Sequence, residues 1–516
     1  MKKTLITLAL FGHMSAFAAS DSTELKEGEV WITTDADAKH LITQHGADIL
    51  TSFSHKGFAA YPNTLVAKIH QNQLASLSSH MHQEKHRCGG YMVHEDQENA
   101  LRAAAMPLSV SLFEKPEISH HETVESLIAQ VEPNNILTTI ENLTSFTNRF
   151  YTTSTGIAAS DWLFERWSEE IKEVSFASAR QISHSEYPQQ SVEVTLLGSK
   201  YPEEIVAVGG HLDSTVGSWT TEGTISPGAD DDASGIATAT EALRLMIASG
   251  IQPDRTIKFY AYAAEEVGLR GSQDIAETLK DQQANVISVL QLDMTNHQGS
   301  AHDVTFMTDY TDANLVEFLT ELMDTYISEL TYDTDRCGYA CSDHASWHNA
   351  GYSAAIPAES FFHDTNPNLH TPNDTLENSD PTASHATKFA KLAVAYLVET
   401  SLDDINSPVK ELEGGVPVEG LSSGYFDEQF FTFTTTEVGE VTISISGPQG
   451  GDADLYVTYD GPVSKTEFDC RPFQNGSNEQ CIFNKPAGTF KIMLRGYRNF
   501  NDVSIVASFN QEIPSD

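Results

Sequence analysis

Three patterns of apolar and polar positions follow one another along the chain. From about residue 20 to 110, mixed stretches such as "GEVWITTD" and "GFAAYPNTLVAKIH" alternate with helical ones and predict a small α+β unit. From about 120 to 403 strand and helix signals alternate. "EIVAVGG", "RTIKFYAYAA" and "NVISVLQLD" are apolar runs too continuous for strands with one wet face. "ASDWLFERWSEEI" sets Trp162, Phe164, Trp167 and Ile171 roughly at helical spacing, and Ile236, Thr240, Leu243 and Ile247 form a second helical stripe. This alternation predicts an α/β fold, a mostly parallel central sheet covered by helices. After the linker "INSPVKELEGGVPVEG" the period changes again. "QFFTFTTT", "EVTISISG", "DADLYVTYDG", "TFKIMLRGY" and "DVSIVASF" alternate strictly between turn residues and predict an all-β sandwich. Several units are also what a length of 516 residues leads one to expect.

Charge narrows the partners. The formal net charge is −43, with only 30 Lys and Arg, which argues against nucleic acid and anionic membrane surfaces. The opening "MKKTLITLALFGHMSAFAAS" has Lys2 and Lys3, an apolar run and Ala16-Phe17-Ala18, the pattern of a secretory signal peptide ending near 19. No later run is long enough for a membrane helix, so a secreted, extracellular protein is expected. In that compartment Cys337 and Cys341, and Cys470 and Cys481, are close enough to form two local disulfides, leaving Cys88 over. A zinc site at Cys337 and Cys341 is the less favoured reading. The first unit is rich in histidine. His80, His82 and His86 could bind a metal, but a solvated histidine-rich surface is the reading taken.

Each apolar run of the middle region ends in residues able to hold a metal: His211 and Asp213 after the first, Glu265 and Glu266 after the second, Asp293 after the third. Parallel sheets bind ligands outside the carboxyl ends of their strands, so these residues converge. "SPGADDDASGIA" adds Asp230, Asp231 and Asp232 ahead of a helix, and "NPNLHTPNDT" offers His370 from a loop. Mixed histidine and carboxylate ligands suit zinc or a similar ion. One ion cannot use five such ligands and keep an open position, whereas two ions sharing an aspartate can. Asp230, Asp232, Ser234, Gly235 and Glu241 also fit a calcium-loop spacing, but Ser226-Pro227-Gly228 stands where a helix should enter. The G-x-S-x-G match Gly420–Gly424 lies in the β-rich region, away from the strand–turn–helix setting a serine nucleophile needs. No H-E-x-x-H is found.

With "GGHLDST", "PGADDDASG", "AAEEVGLRGS", "LQLDMTN" and "CGYACSDHASWHNAGY" in this order, residues from about 115 to 403 resemble secreted bacterial leucyl aminopeptidases of the dinuclear-zinc family. The tail resembles the bacterial pre-peptidase C-terminal domain, and the N-terminal region stands where that family carries its propeptide. The resemblance implies two Zn²⁺ per catalytic domain. His211 and Asp293 would hold one, Glu266 and His370 the other, with Asp231 bridging. Glu265 would be the general acid/base, and Asp213 would orient the ligand histidine. Cys337 and Cys341 match a short disulfide beside the pocket. Met294, Tyr339, Ile356, Phe362 and Leu369 would line an apolar side-chain pocket. The expected activity is removal of N-terminal leucine or other large apolar residues from peptides with a free N-terminus, by a monomer. Same-scaffold alternatives are a carboxypeptidase or a glutaminyl cyclase; a non-catalytic peptide-binding protein is the third. The boundaries expected are a signal peptide at 1–19, a propeptide at 20–114, the catalytic domain at 115–405, a linker at 406–416 and the β-sandwich at 417–511.

Overall fold

Apolar runs that leave no face for water become the middle of a six-stranded sheet. Its order is Ala354–Ala355, Asn285–Gln291, Tyr201–His211, Arg255–Tyr262, Ser191–Leu196, Ala177–Ile182. The first four strands pair in parallel and the last two add antiparallel at one edge. Successive side chains go to opposite faces. Val206, Val208, Ile257, Phe259 and Leu290 pack under the helices Ala233–Ala248 and Ala386–Ser401. Ile205, Ala207, Tyr260, Tyr262 and Val289 pack under Arg270–Asp281 and His344–Ala350 on the other face. Each Val, Leu, Ile or Phe among them contributes about 1.5–3 kcal/mol by leaving water, and both faces are dry. The strands therefore read as continuous hydrophobic runs.

The structure, a computed structural model, describes residues 25–403 and 410–511 apart from breaks at 27, 54–62, 86, 88, 95, 107, 218–219, 424–427, 449, 466 and 499. The leader pattern, His86 and Cys88 fall outside the described residues. The chain divides into two units after Asp403. Among the described residues no helix is long and apolar enough to cross a membrane.

Within the first unit, the N-terminal residues form a four-stranded antiparallel sheet in the order Asp48–Phe53, Thr64–His70, Glu29–Asp35, Tyr91–His94. The helices Leu74–Lys85 and Gln97–Ala105 accompany it. Leu74, Leu77 and Met81 recur along one stripe of the first helix and pack with Ile32, Leu65 and Ala67 of the sheet. The chain then joins the α/β core through Ser109–Val110, parallel to Thr311–Asp312. Two buried carboxylates fasten the joint. Asp312 accepts the Leu112 and Phe113 N–H groups at 2.7 and 2.9 Å. Glu399 accepts the N–H groups of Ser119 and His120 at 3.0 Å each, the His120 ring at 3.1 Å and the Tyr326 hydroxyl.

Burial works to raise the Glu399 carboxyl, but these hydrogen bonds win and hold it below the usual range. A depressed carboxylate contributes stability that is present above its unfolded pKa and lost as pH falls through its folded one. Glu399→Gln should therefore lower stability at pH 7 by about 1.5–3 kcal/mol. The gap to wild type should narrow below about pH 4. Denaturant melts across pH check this, and a pH-independent gap would show the charge to be immaterial.

The second unit is two four-stranded sheets face to face. One has the order Lys410–Glu411, Glu428–Thr435, Gly488–Arg498, Asp452–Tyr459; the other Val418–Ser423, Phe500–Gln511, Gly439–Ser446, Glu479–Lys485. Phe431, Phe433, Ile443, Leu455, Ile492, Leu494 and Ile505 fill the space between, each on the inward beat of its strand. Cys470 and Cys481 are disulfide-bonded, as are Cys337 and Cys341 in the first unit. The serine-hydrolase-like match begins in the strand Val418–Ser423, and among the described residues no helix follows it.

Candidate metal centre

Three neighbouring parallel strands deliver their last residues to one edge of the sheet. His211 ends its strand; Glu265 and Glu266 follow Tyr262, and Asp293 follows Gln291, within a few residues. All four are at most 4% exposed. Asp213 binds the turn together. Its two oxygens accept the Glu265 and Glu266 N–H groups at 2.9 and 3.2 Å, and Oδ1 lies 3.6 Å from His211 Nδ1. The Ser342 hydroxyl donates to Asp293 Oδ2 at 2.5 Å. Ala264, Met294 and His370, each beside or within this cluster, have φ of 57°, 55° and 53°. Such left-handed backbone costs about 1–3 kcal/mol per residue and gathers where a site dictates geometry.

The three consecutive aspartates do three different things. Asp232 caps the helix Ala233–Ala248. Its oxygens accept the N–H groups of Gly235 at 2.8 Å, His211 at 2.9 Å and Met294 at 3.2 Å, tying helix, strand and loop. Only glycine fits at 235, because a Cβ there would stand 2.2 Å from the Leu292 carbonyl oxygen. Asp230 turns the other way, to the Asn296 N–H and the Asn366 amide at 3.0 Å each, with Glu359 against it. Asp231 is the one left over. Its Oδ1 lies 2.9 Å from His211 Nε2 and its Oδ2 lies 2.9 Å from His370 Nε2. His211 Nε2 is 3.5 Å from Asp293 Oδ1, and His370 Nε2 is 3.2 Å from Glu266 Oε2.

The polar atoms of this cluster fit cations. His211 Nε2, Asp293 Oδ1 and both carboxylate oxygens of Asp231, Glu265 and Glu266 are buried and make no hydrogen bond. Buried carboxylates without donors are costly unless positive charge is present. Burial raises Glu265 well above its usual range against the pull of His211, and pushes Glu266 up to about 7. For Asp231, burial is outweighed by His211 and His370, which hold it well below. Ligand-capable atoms of His211, Asp232 and Asp293 lie within 4.8 Å of one another, as do those of His82, Glu266 and His370. Asp232 is the weaker ligand of its group, since its oxygens already take three N–H bonds. The calcium-loop alternative fails on Glu241, which is held on the helix by Arg244, Asn135 and the Glu132 N–H.

Of the proposed pocket residues, Tyr339, Ile356 and Phe362 pack together with the Cys337–Cys341 disulfide, Met307 and Ala358. Met294 and Leu369 are half-buried beside Asp293 and His370 in sequence and stand outside that cluster. Sequence reading missed the supports. Asp374, four residues past His370, accepts the Asp230 and Asp231 N–H groups at 3.1 and 3.2 Å. Buried Arg149 donates to the carbonyls of Leu212 at 2.8 Å, Gly228 at 2.9 Å and Pro227. Asp374 could have been suspected from its place in the same Pro- and Asn-rich loop; nothing local marks Arg149. The solvated reading of the histidine cluster is wrong for His82, which is 7% exposed and faces Glu266. The helix carrying it packs against the α/β core, which no local pattern announces.

The profile of peptidase family M28 matches residues 191–395, and that of the bacterial pre-peptidase C-terminal domain matches 427–496. A protein of Trichophyton verrucosum named "Probable leucine aminopeptidase" is 34% identical over 304 residues, covering 57% of this chain and 82% of that protein. Leucine aminopeptidase 1 of Emericella nidulans is 34% identical over 297 residues, 55% of this chain and 74% of the relative. The structure of LapB from Legionella pneumophila superimposes with a TM-score of 0.61 at 27% identity, covering 73% of this chain and 100% of that one. The chain belongs to peptidase family M28. It is a hydrolase with the mixed α/β fold of that family, followed by a β-domain of the pre-peptidase C-terminal kind.

Proposed function

We propose that the chain is an exported dinuclear zinc aminopeptidase that removes leucine or other large apolar residues from the free N-terminus of peptides. The observation that carries this reading is Asp231, whose two bare oxygens each face a different histidine at 2.9 Å. His211 and Asp293 would hold one ion, Glu266 and His370 the other, and Asp231 both. Bound there, two divalent ions supply an acidified water and a polarised scissile carbonyl. Glu265 is the proton carrier. It sits next to Glu266 on a turn fixed by Asp213, and its unpartnered oxygens are free to take a proton from water and return it to the leaving amine. The Asp213 backbone carbonyl, 3.1 Å from His211 Nδ1, also holds the His211 ring. The surrounding carboxylates suit a free α-amine, which would meet an ion as the neutral amine; a blocked N-terminus offers no such donor. The cluster of Tyr339, Ile356 and Phe362 offers apolar surface to a leucine-like or larger first side chain.

A panel of amino-acid anilides, assayed with zinc before and after limited proteolysis, tests the assignment. Leucine and larger apolar residues should be released fastest, and N-acetyl-leucine anilide should be inert. Equal cleavage of the blocked substrate, or a preference for acidic or basic residues, would overturn it. Residues from about 20 to 110 are assigned the role of keeping the precursor latent, so proteolysis should raise the rate.

A further inference from the structure

We propose that His82, on the N-terminal helix Leu74–Lys85, is an internal ligand for the ion assigned to Glu266 and His370, and closes the position that a substrate's α-amine needs. This rests on the dinuclear reading above. The His82 side chain is 5% exposed, and its Nε2 lies 3.7 Å from Glu266 Oε2. Its ring stacks on that of His370, with centroids 4.0 Å apart and planes at 17°. The ligand-capable atoms of His82, Glu266 and His370 lie within 4.8 Å of one another, the arrangement expected of three groups around one ion. Nε2 takes one N–H, that of Gly89 at 3.2 Å, and Nδ1 is buried without a hydrogen bond. A cation gives the Nε2 lone pair a stronger partner than an amide does.

The chain beyond the helix keeps His82 in place. Gly89, at φ +49°, is so close to the core that a Cβ would stand 3.2 Å from the Gly268 nitrogen. Arg87 binds Asp37 through two hydrogen bonds of 3.0 and 2.9 Å and lays its guanidinium over the Tyr339 ring, 4.7 Å from the centroid. His82 thus stands at the candidate ion site and Arg87 over part of the apolar pocket. Like a substrate's amine, imidazole is a neutral nitrogen donor. The two compete for one coordination position, and substrate gains it only when the helix leaves.

Cobalt loading of the full-length chain tests this, with His82→Phe preserving the stacked ring and His82→Ala leaving a space. Both variants should alter the visible absorption of one cobalt. They should release that ion to a chelator roughly 10–100-fold faster than wild type, at least the penalty for losing a partner outside the ligand shell. Added imidazole should restore His82→Ala and leave His82→Phe unchanged. If wild type binds two cobalt ions and both variants match it in spectrum and release rate, the His82 assignment is overturned and the dinuclear reading stands. If wild type binds no cobalt, both fall together.

Discussion

Glu265→Ala is expected to keep about two metal ions per chain while hydrolysing leucine anilide roughly 10²–10⁴-fold more slowly. The two halves of this result have separate origins. The Glu265 side chain makes no hydrogen bond, and its backbone N–H, held by Asp213, survives the substitution. The turn that presents Glu266 should therefore persist, and with it the metal content. What disappears is the only unpartnered carboxylate in the cluster that is not assigned to an ion. Metal analysis alongside steady-state rates on the processed protein separates the outcomes. Retained metal with a collapsed rate fits a proton carrier. Loss of metal together with activity would make Glu265 a ligand, and an unchanged rate would remove it from the chemistry.

How much of this could be read from the letters depends on how local the cause was. The central strands were legible because burial on both faces leaves uninterrupted apolar runs, as in "EIVAVGG". The convergence of His211, Glu265, Glu266 and Asp293 was legible because parallel strands present their carboxyl ends together. His370 could be suspected only in company with them, since its loop has no period. Asp374 and Arg149 were not seen. Each acts through backbone groups brought near by tertiary folding, and neither lies at a strand end. His82 was misjudged for a related reason. The stripe Leu74, Leu77, Met81 tells which side of the helix meets its own sheet, but His82 is covered by a part of the chain far away in sequence.

The aspartate triplet allows a sharper test, since three adjacent and chemically identical residues should respond differently. Asp231→Asn is expected to lose at least one ion. An asparagine offers one oxygen instead of two and points an amide donor at either His211 or His370, so it cannot bridge. The drop in affinity should exceed the roughly 10–100-fold that follows loss of an outer partner, and hydrolysis should fall with it. Stability gives an independent readout. An ion held at 100 times its Kd stabilises the folded chain by about 2.7 kcal/mol. Chelation should therefore lower the melting temperature of wild type and move that of Asp231→Asn much less. Asp230→Asn faces the Asn296 N–H, the Asn366 amide and Glu359; it should keep both ions. Asp232→Asn weakens a helix cap that also holds the His211 and Met294 N–H groups. It should cost about 1–3 kcal/mol, and more through the ions if His211 shifts. Two ions bound to Asp231→Asn as tightly as to wild type would leave the triplet without its explanation, because the middle carboxylate would then answer only to the two histidines beside it.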